Sequence, residues 1–489
     1  MEILPALGYF EAAKQYAGPD NAKMSNISTK PPSGMRDFLP EELLRRRYVI
    51  DLVRRTYELY GFSPVETPCI ENLTTLLGKY GEEGDQLLYR ILHRRDALKR
   101  ALEADDVSEG TLSDLGLRYD LTVPLARVVA QYGDLPRFFK RYQIQPVWRA
   151  DRPGRGRFRE FYQCDVDVTG TGSLLAEADV LSAVSRVLQE LGFNDFTIQL
   201  NHRDLLTSLI AAAGIDSALE ESALVALDKL DKIGEEGVAK ELVARGVEEG
   251  GAKKLLTLIQ RDDQETDQEL AEKLKGSLGS AKATEAIDAL LQLLEISAAG
   301  PAGSHLRLNP ALARGLGYYT GPIFEITVDD LTGTLGGGGR YDGLVGMFGK
   351  QAIPAVGFSL GLERILLVME ERGMYPPLQS GPQIVLCSMG LPAEKVFSVA
   401  ETLRAQGLRI EIYPEPAKLG KQLQYADGPG VKAPCAAIIG EDELAEGTIT
   451  LKALESGAQE TIPVEDVAKS LDALLEKPPL ADPDQESGK

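Results

Sequence analysis

The sequence predicts an α+β domain that carries a helical insertion and is followed by a smaller α/β domain. Two alternating strands joined by an arginine-rich loop span Ile144 to Val168. From Asp216 to about Ile296 the composition shifts to Ala, Glu, Lys and Leu in a helical pattern, and strand patterns resume at Phe324. After Gln383 strands and helices alternate, which is typical of a largely parallel sheet.

Length and composition indicate a globular protein without a membrane span. The length suggests about three domains, and 43% hydrophobic with 26% charged residues is ordinary for globular chains. No apolar run approaches the roughly 20 residues that a spanning helix needs. Met1–Lys30 lacks the basic start and apolar core of a secretory signal, so we expect a flexible N-terminal extension.

The cysteines and histidines are scattered. The four cysteines form no CxxC pair, which argues against a disulfide framework or structural zinc and favours a reducing cytoplasm. The histidines form no HExxH or similar cluster, so we predict no metal site held by side chains. These residues are Cys69, Cys164, Cys387, Cys435, His93, His202 and His305.

The chain is acidic, with a net charge of −21, which at face value opposes a nucleic-acid partner. Global charge governs solubility, however, and a local cationic patch can still bind phosphates. The hairpin loop is such a patch, with Arg149, Arg152, Arg155, Arg157 and Arg159. We expect Arg137, Lys140 and Arg141 to extend it.

The first predicted element is a helix that begins at Pro40, with Glu41 and Glu42 in its first turn, and ends at Gly61. The segment FSPVETPCIE then predicts a strand interrupted by Pro64 and Pro68. Proline places such a strand at a sheet edge or an interface. The segment is therefore either structural or part of a dimer contact.

The hairpin has one apolar and one polar face, because strand side chains alternate. The apolar face of its second strand carries Phe158, Tyr162, Cys164, Val166 and Val168. The polar face carries Arg157, Arg159, Phe161, Gln163, Asp165 and Asp167. Arginines at one end and carboxylates at the other suit a zwitterionic substrate together with a phosphate, although a solvated hairpin would show the same pattern.

The segment LRYDLTVPLAR predicts a strand with Arg118, Asp120 and Thr122 on one face. A carboxylate with a hydroxyl two residues further on can hold an ammonium group. An exposed polar face on an edge strand is the alternative.

Two glycine-containing segments follow the insertion. ARGLGYYTGPIFEITV places Arg314 in a turn before Tyr318 and Tyr319, which are either core aromatics or one core and one site residue. LGGGGRYDGL lacks the GK[ST] of a phosphate-binding loop, so we expect its glycines to let the backbone approach a ligand closely.

AVGFSLGLERILLVMEE predicts a strand that enters a helix, with Ser359 as the N-cap. Arg364 lies off the apolar stripe of this helix and is either a surface residue or a phosphate ligand. The stripe comprises Leu362, Ile365, Leu366 and Met369.

Flexible or polar segments suggest the domain boundaries. We predict an extension at 1–30, a first domain at 31–375 with its insertion at about 216–300, a linker at 376–382, an α/β domain at 383–476 and a disordered acidic tail at 477–489.

In this order the segments resemble class II aminoacyl-tRNA synthetases, and specifically the histidyl-tRNA synthetase family, from about Pro32 to Leu475. FSPVETPCIE resembles the first class motif, with Pro68 at the dimer contact, VWRADRPGRGRFREFYQ the second and GFSLGLERI the third. RGLGYYTG and GGGGRYDGL resemble the two signatures of the histidine enzymes. The resemblance implies a catalytic domain on an antiparallel sheet, an anticodon-binding domain and a homodimer.

The resemblance also implies residue roles. Asp120, Thr122 and Gln163 would hold the substrate α-amino group. Asp167 and Tyr319 would bind the imidazole, with Tyr318 shaping the pocket. The predicted ATP-binding residues are Arg149, Arg157, Arg314 and Arg364, and Arg314 would also contact the substrate carboxylate. Arg152 and Arg155 would meet the tRNA acceptor end. Where this chain has Gly317, the family usually has an acidic residue.

The implied activity is ligation of L-histidine to tRNA(His), which uses ATP with Mg²⁺. The resemblance implies no membrane partner. In the anticodon-binding domain Lys418, Lys421 and Lys432 are either RNA contacts or ordinary surface lysines. Two alternatives remain, a catalytically silent regulatory relative in histidine biosynthesis and a synthetase for another amino acid. Arg149, Arg314 and Arg364, together with the C-terminal domain, disfavour the regulatory relative. The segment RGLGYYTG disfavours a synthetase for another amino acid.

Overall fold

The computed structural model describes residues 28–262, 264–313, 317–349 and 351–476, without the side chains of 81–83. Most of the predicted N-terminal extension, the predicted tail and Arg314 lie outside these residues. The chain divides into two compact units, Met1–Pro376 and Pro377–Lys489. Within the described ranges, no helix combines the length and apolar character needed to cross a membrane.

The described part of the first unit is organised around an eight-stranded sheet in the order β1-β5-β6-β11-β10-β9-β7-β8. The six central strands are antiparallel, as predicted, and only the edge strands β1 and β8 pair in parallel. The strands are β1 Ser63–Pro64, β5 Phe139–Trp148, β6 Glu160–Thr169, β7 Thr197–His202, β8 Leu306–Leu308, β9 Pro322–Thr327, β10 Thr334–Arg340 and β11 Ala355–Gly361.

A smaller sheet of three strands lies beside the first, in the order β2-β4-β3. Its strands are β2 Ile70–Asn72, β3 Arg90–Leu92 and β4 Ser113–Leu117. The helices of the first unit up to the hairpin are α1 Pro40–Leu59, α2 Leu73–Leu76, α3 Gly81–Gln86, α4 Arg95–Leu102, α5 Glu109–Leu112 and α6 Thr122–Gln131. The predicted edge position of Pro64 is confirmed, because β1 is the terminal strand of the large sheet.

One face of the large sheet is covered by helices and forms the main core. Cys164, Val166 and Val168 of β6 point into it, as the alternation of the hairpin predicts. Helix α1 has the predicted proline start and ends before Gly61, whose φ of 78° favours glycine. Leu59 is 72% exposed, because it lies at the end of this helix.

Helices fill the region of the predicted insertion. Their buried residues belong to the same continuous core as the sheet, so the insertion does not have a separate core. The remaining helices of the first unit are α7 Leu174–Glu190, α8 Arg203–Ala212, α9 Glu220–Leu227, α10 Leu230–Ala244, α11 Glu249–Ile259, α12 Asp267–Leu278, α13 Ala281–Ser297 and α14 Leu362–Glu371, with short 3₁₀ turns at Ser217–Leu219 and Val345–Met347.

The second unit is built on a five-stranded sheet in the order β13-β12-β14-β15-β16. The first three strands are parallel, as predicted, and the last two are antiparallel additions that the sequence pattern did not predict. Its elements are β12 Ile384–Ser388, α15 Ala393–Ala405, β13 Ile410–Ile412, α16 Leu419–Asp427, β14 Cys435–Ile439, α17 Glu441–Glu446, β15 Thr448–Ala453, β16 Gln459–Pro463, a 3₁₀ turn at Val464–Asp466 and α18 Val467–Leu475.

A buried ion pair joins α7 to the centre of the large sheet. The Arg340 Nε atom donates to Glu177 Oε1 at 2.6 Å, and the two side chains are 7% and 0% exposed. Removing one partner of such a pair leaves a buried charge without compensation.

Glu177→Gln should therefore lower the free energy of unfolding by about 3 kcal/mol. Urea unfolding followed by the fluorescence of Trp148, the single tryptophan, measures this loss in the first unit. The matched control is Glu249→Gln, which breaks an exposed pair with Lys253 and should not move the midpoint. Equal midpoints for all three proteins would contradict the structural role of the buried pair.

Candidate active site

The polar face of the hairpin is buried. Arg141, Gln143 and Gln145 of β5 lie directly opposite Asp167, Asp165 and Gln163 of β6. Five of these six side chains are buried, the exception being the half-buried Gln145. A buried face with charged side chains must satisfy them internally or through a ligand, so the solvated-hairpin alternative is wrong.

Asp167 lies at the inner end of this face. Its carboxylate lies 2.9 Å from the Arg141 guanidinium and accepts a hydrogen bond from the Tyr341 hydroxyl. Gly357 of β11 is directly opposite, and a Cβ there would overlap the Asp167 carboxylate. Burial raises the pKa of Asp167, while the Arg141 charge and the Tyr341 hydrogen bond oppose this effect.

Asp165 is a second carboxylate on the same face. It is 3.9 Å from Arg141, so a single guanidinium lies between two acids. The pKa of Asp165 is raised to about 7, mainly by burial and also by the charge of Asp167, against the opposing effect of Arg141. The cluster therefore carries a negative charge beyond what Arg141 neutralises whenever both acids are ionised.

Gln163 lies at the outer end of the face, two residues before Asp165. Its amide nitrogen donates to the Ser359 hydroxyl at 2.7 Å. Its amide oxygen Oε1 is buried and has no hydrogen-bond partner among the residues that the structure describes. A buried acceptor without a partner is costly, so Oε1 is available to a donor on a ligand.

The predicted ammonium-binding pair differs in local structure from the expectation. Asp120 follows β4, and Thr122 is the first residue of α6 rather than part of a strand. Asp120 Oδ1 accepts from the Val123 amide at 3.0 Å and from the Tyr80 hydroxyl at 3.1 Å. Burial raises the pKa of Asp120, and the nearby Arg149 charge lowers it.

Arg118, expected on the same face as Asp120, is instead fully buried and structural. Its guanidinium donates to the Thr67 carbonyl at 2.7 Å, to the Pro146 carbonyl at 2.9 Å and to Gln145 Oε1 at 2.8 Å. These bonds tie the end of β4 to β5 and to the segment that contains Pro68.

Tyr318 and Tyr319 are half-buried and close to the acids. Their ring centroids are 4.9 Å apart, and Tyr318 also contacts the Tyr341 ring edge-on. Burial raises the pKa of both tyrosines, and the Thr122 side chain beside Tyr318 partly opposes this effect. Both hydroxyls therefore remain protonated donors beside the carboxylates.

Arg149 and Arg364 flank the outer end of the polar face. Arg149 follows β5, stacks over Tyr119 at 4.2 Å and donates to the Tyr119 carbonyl at 3.1 Å. Arg364 comes three residues after Gly361, the cross-strand partner of Gln163, and donates to the Thr334 carbonyl at 2.6 Å. Both side chains are half-buried. Arg314, the third predicted phosphate ligand, lies outside the described residues.

The loop arginines lie further out. Arg157 donates to Asp151 at 2.7 Å, and Arg155 donates to Glu371 at 2.7 Å. Arg152 is exposed and has no ion-pair partner within the described ranges. The expectation that Arg141 and Lys140 extend this patch is wrong, because Arg141 is buried with the two acids and Lys140 pairs with Asp179.

The glycines of β10 mainly serve the sheet. A Cβ at Gly336 or Gly338 would overlap the backbone of β11, so these glycines permit close strand packing rather than approach of a ligand. Ser359, predicted as an N-cap, is inside β11, and Gly361 is the residue that precedes α14.

The sequence analysis assigned no role in this site to four of its residues, Tyr80, Arg141, Tyr341 and Ser359, although Tyr341 and Ser359 lie within GGGGRYDGL and GFSLGLERI. Asp165 did have a signal, because its spacing of two residues from Gln163 and from Asp167 places it on their face. Together these residues form a buried polar cluster that contains hydrogen-bond donors and acceptors and is bordered by Arg149 and Arg364.

Two family models match the chain, histidyl-tRNA synthetase over residues 34–365 and anticodon binding domain over 383–474. The chain is 42% identical to a histidine–tRNA ligase of Cytophaga hutchinsonii, over 90% of this chain and 98% of that protein. It is 41% identical to that of Porphyromonas gingivalis, over 89% and 97%.

Solved structures are also similar. The histidyl-tRNA synthetase from Nostoc sp. PCC 7120 has a TM-score of 0.74 and 30% identity, and the alignment covers 92% of this chain and 100% of that one. An ATP phosphoribosyltransferase regulatory subunit/histidyl-tRNA synthetase from Bacillus halodurans has a TM-score of 0.66 and 20% identity, covers 85% and 98%, and shows the fold alone. From the family-model match and the relatives at about 40% identity, the chain belongs to the histidyl-tRNA synthetase family.

Proposed function

We infer that the chain is a histidine–tRNA ligase, which activates L-histidine with ATP and then transfers it to the 3′ end of tRNA(His). The relatives that it matches over most of their length are histidine–tRNA ligases. The observation that carries the inference is the buried row of Gln163, Asp165 and Asp167 beside two protonated tyrosines. The match of an anticodon-binding domain to residues 383–474 favours a ligase over a regulatory subunit.

We propose that Asp167 and Tyr319 bind the substrate imidazole and that Tyr318 shapes the pocket. A neutral imidazole has one donor and one acceptor, and a carboxylate opposite a tyrosine hydroxyl satisfies both. A side chain without these groups would leave buried polar atoms unpaired, which supports discrimination by about 10⁴-fold or more. Selection of histidine then needs no hydrolytic correction of errors.

Asp120, Thr122 and Gln163 would hold the α-ammonium group. The unpartnered Oε1 atom of Gln163 and the carboxylate of Asp120 are acceptors that suit a cation. These side chains hold the amino acid at the outer end of the polar face, which leaves its carboxylate towards Arg149 and Arg364.

The substrate carboxylate attacks the α-phosphorus of ATP and pyrophosphate leaves. The carboxylate is already ionised at neutral pH, so the site supplies alignment and positive charge rather than a general base. We propose that Arg149, Arg157, Arg314 and Arg364 bind ATP, which arrives with Mg²⁺ on its phosphates. Arg157 would then exchange its present partner Asp151 for a phosphate.

We propose residues 31–375 as the catalytic domain, joined by 376–382 to an anticodon-binding domain at 383–476. Arg152 and Arg155 would contact the acceptor end of tRNA, and the exposed Lys418, Lys421 and Lys432 its anticodon arm. We also propose a homodimer with the segment around Pro68 at its interface, and a cytoplasmic location.

Asp167→Asn tests the imidazole contact. The variant replaces a charged acceptor by a neutral one, so the KM for histidine should rise about 10- to 100-fold in histidine-dependent exchange of pyrophosphate into ATP. The KM for ATP is the internal control and should stay within about twofold, because the phosphates lie at the other end of the site. A rise of both constants together would remove Asp167 from the imidazole contact.

Ending the chain at Pro382 separates the two steps of the reaction. The first unit keeps its own core, so pyrophosphate exchange should persist near the rate of the full chain. Charging of tRNA(His) should fall by about 100-fold or more, because the truncated chain loses the anticodon contacts. Equal losses in exchange and charging would mean that the second unit supports the fold of the first rather than binding tRNA.

A further inference from the structure

Ser359 connects two polar side chains of the neighbouring strand. It lies directly opposite Asp165 in the β6–β11 pairing, and Gln163 lies two residues away on the same face of β6. The Gln163 amide nitrogen donates to the Ser359 hydroxyl oxygen at 2.7 Å, and the hydroxyl faces the Asp165 carboxylate and favours its ionised form. Asp165, Ser359 and Gln163 therefore form a continuous row, called here the relay.

A hydroxyl group has one proton, which gives the relay a direction. When the Ser359 hydroxyl donates to an ionised Asp165, its oxygen can only accept from Gln163. The amide must then turn its NH₂ group towards Ser359 and its oxygen Oε1 away from it. Oε1 is the buried atom that has no partner among the described residues.

We propose that Asp165 and Ser359 are positioning residues that orient the Gln163 amide so that Oε1 accepts a hydrogen bond from the substrate α-ammonium group. The inference rests on the proposed function, because it takes Gln163 as a ligand of that group. Neither Asp165 nor Ser359 touches the substrate in this arrangement.

Protonation of Asp165 reverses the relay. Its O–H then donates to Ser359, the serine proton turns towards Gln163, and the amide presents its NH₂ group to the ammonium. Two donors would face each other, so the ionised form of Asp165 is the form that favours binding. Since burial raises the pKa of Asp165 to about 7, affinity for the α-ammonium group should increase as the pH rises through this value.

Several charged or titratable groups surround Asp165 and fix where this transition falls. Arg141 on β5 favours the ionised form, and Asp167 on β6 and Asp120 before α6 oppose it. The other titratable groups nearby are Tyr57 on α1, Cys164 on β6, and Tyr318 and Tyr319 before β9.

The test compares the Kd of histidine with that of its deamino analogue, 3-(imidazol-4-yl)propionate, by calorimetry on the full chain. Ser359→Ala should weaken histidine about tenfold, because Gln163 loses its fixed orientation. It should leave the analogue within about twofold, which also shows that the pocket is folded. Equal weakening of both ligands, or of neither, would overturn the proposal.

The second readout is the pH dependence of the ratio between the Kd of the analogue and the Kd of histidine. Each Kd is first corrected for the fraction of ligand whose imidazole is neutral at that pH, because the α-ammonium charge of histidine lowers its imidazole pKa relative to that of the analogue. From about pH 6 to about pH 8 the preference of the unaltered chain for histidine should grow several-fold. In Ser359→Ala the ratio should be flat.

A flat ratio in the unaltered chain would exclude the relay while leaving the proposed function intact. No binding of histidine to the unaltered chain at any pH would instead refute the proposed function.

Discussion

The guanidinium of Arg141 between Asp165 and Asp167 is the interaction on which the site depends. All three side chains are almost completely buried, so none of the charges is compensated by water. Removal of Arg141 would leave two uncompensated carboxylates inside the first unit. The pairing also fixes the register of β5 against β6, because Arg141 lies directly opposite Asp167.

The two faces of the large sheet differ in polarity and in role. The apolar face of β6 packs into the main core, and the opposite face carries the acids and amides. Rigid strands hold these polar groups in fixed positions, which selective recognition of a small polar ligand requires. The arginines that would meet phosphates, Arg149 and Arg364, stand just beyond the strand ends, where a larger substrate can reach them.

The hairpin and its two faces could be predicted from local alternation, whereas the antiparallel character of the central sheet was implied by the family resemblance. The burial of Arg141 beside the two acids could not be predicted. A period of two residues assigns a side chain to a face of the sheet but does not say what covers that face. Tyr341, which directly follows β10, donates to Asp167 although the two residues are 174 positions apart in sequence, a separation that no local pattern encodes.

The prediction that Ser359 is a helix N-cap was wrong. A serine before an apolar helical run is typical of an N-cap, yet β11 continues to Gly361 because the strand pairs with β6 along its whole length. Thr122 is the opposite case, since a threonine in an apolar segment suggests a strand but begins a helix after Asp120 accepts from the Val123 amide. Tertiary strand pairing therefore decides the structure at Ser359, and a local hydrogen bond accompanies the helix start at Thr122.

The central claim is that the buried polar face of the hairpin binds a neutral imidazole through one donor and one acceptor. The most direct measurement is the ¹⁵N spectrum of ring-labelled histidine bound to the chain. A single fixed tautomer, with one protonated and one unprotonated nitrogen well separated in chemical shift, is the expected result. Averaged shifts like those of free histidine, or two protonated nitrogens, would contradict the account.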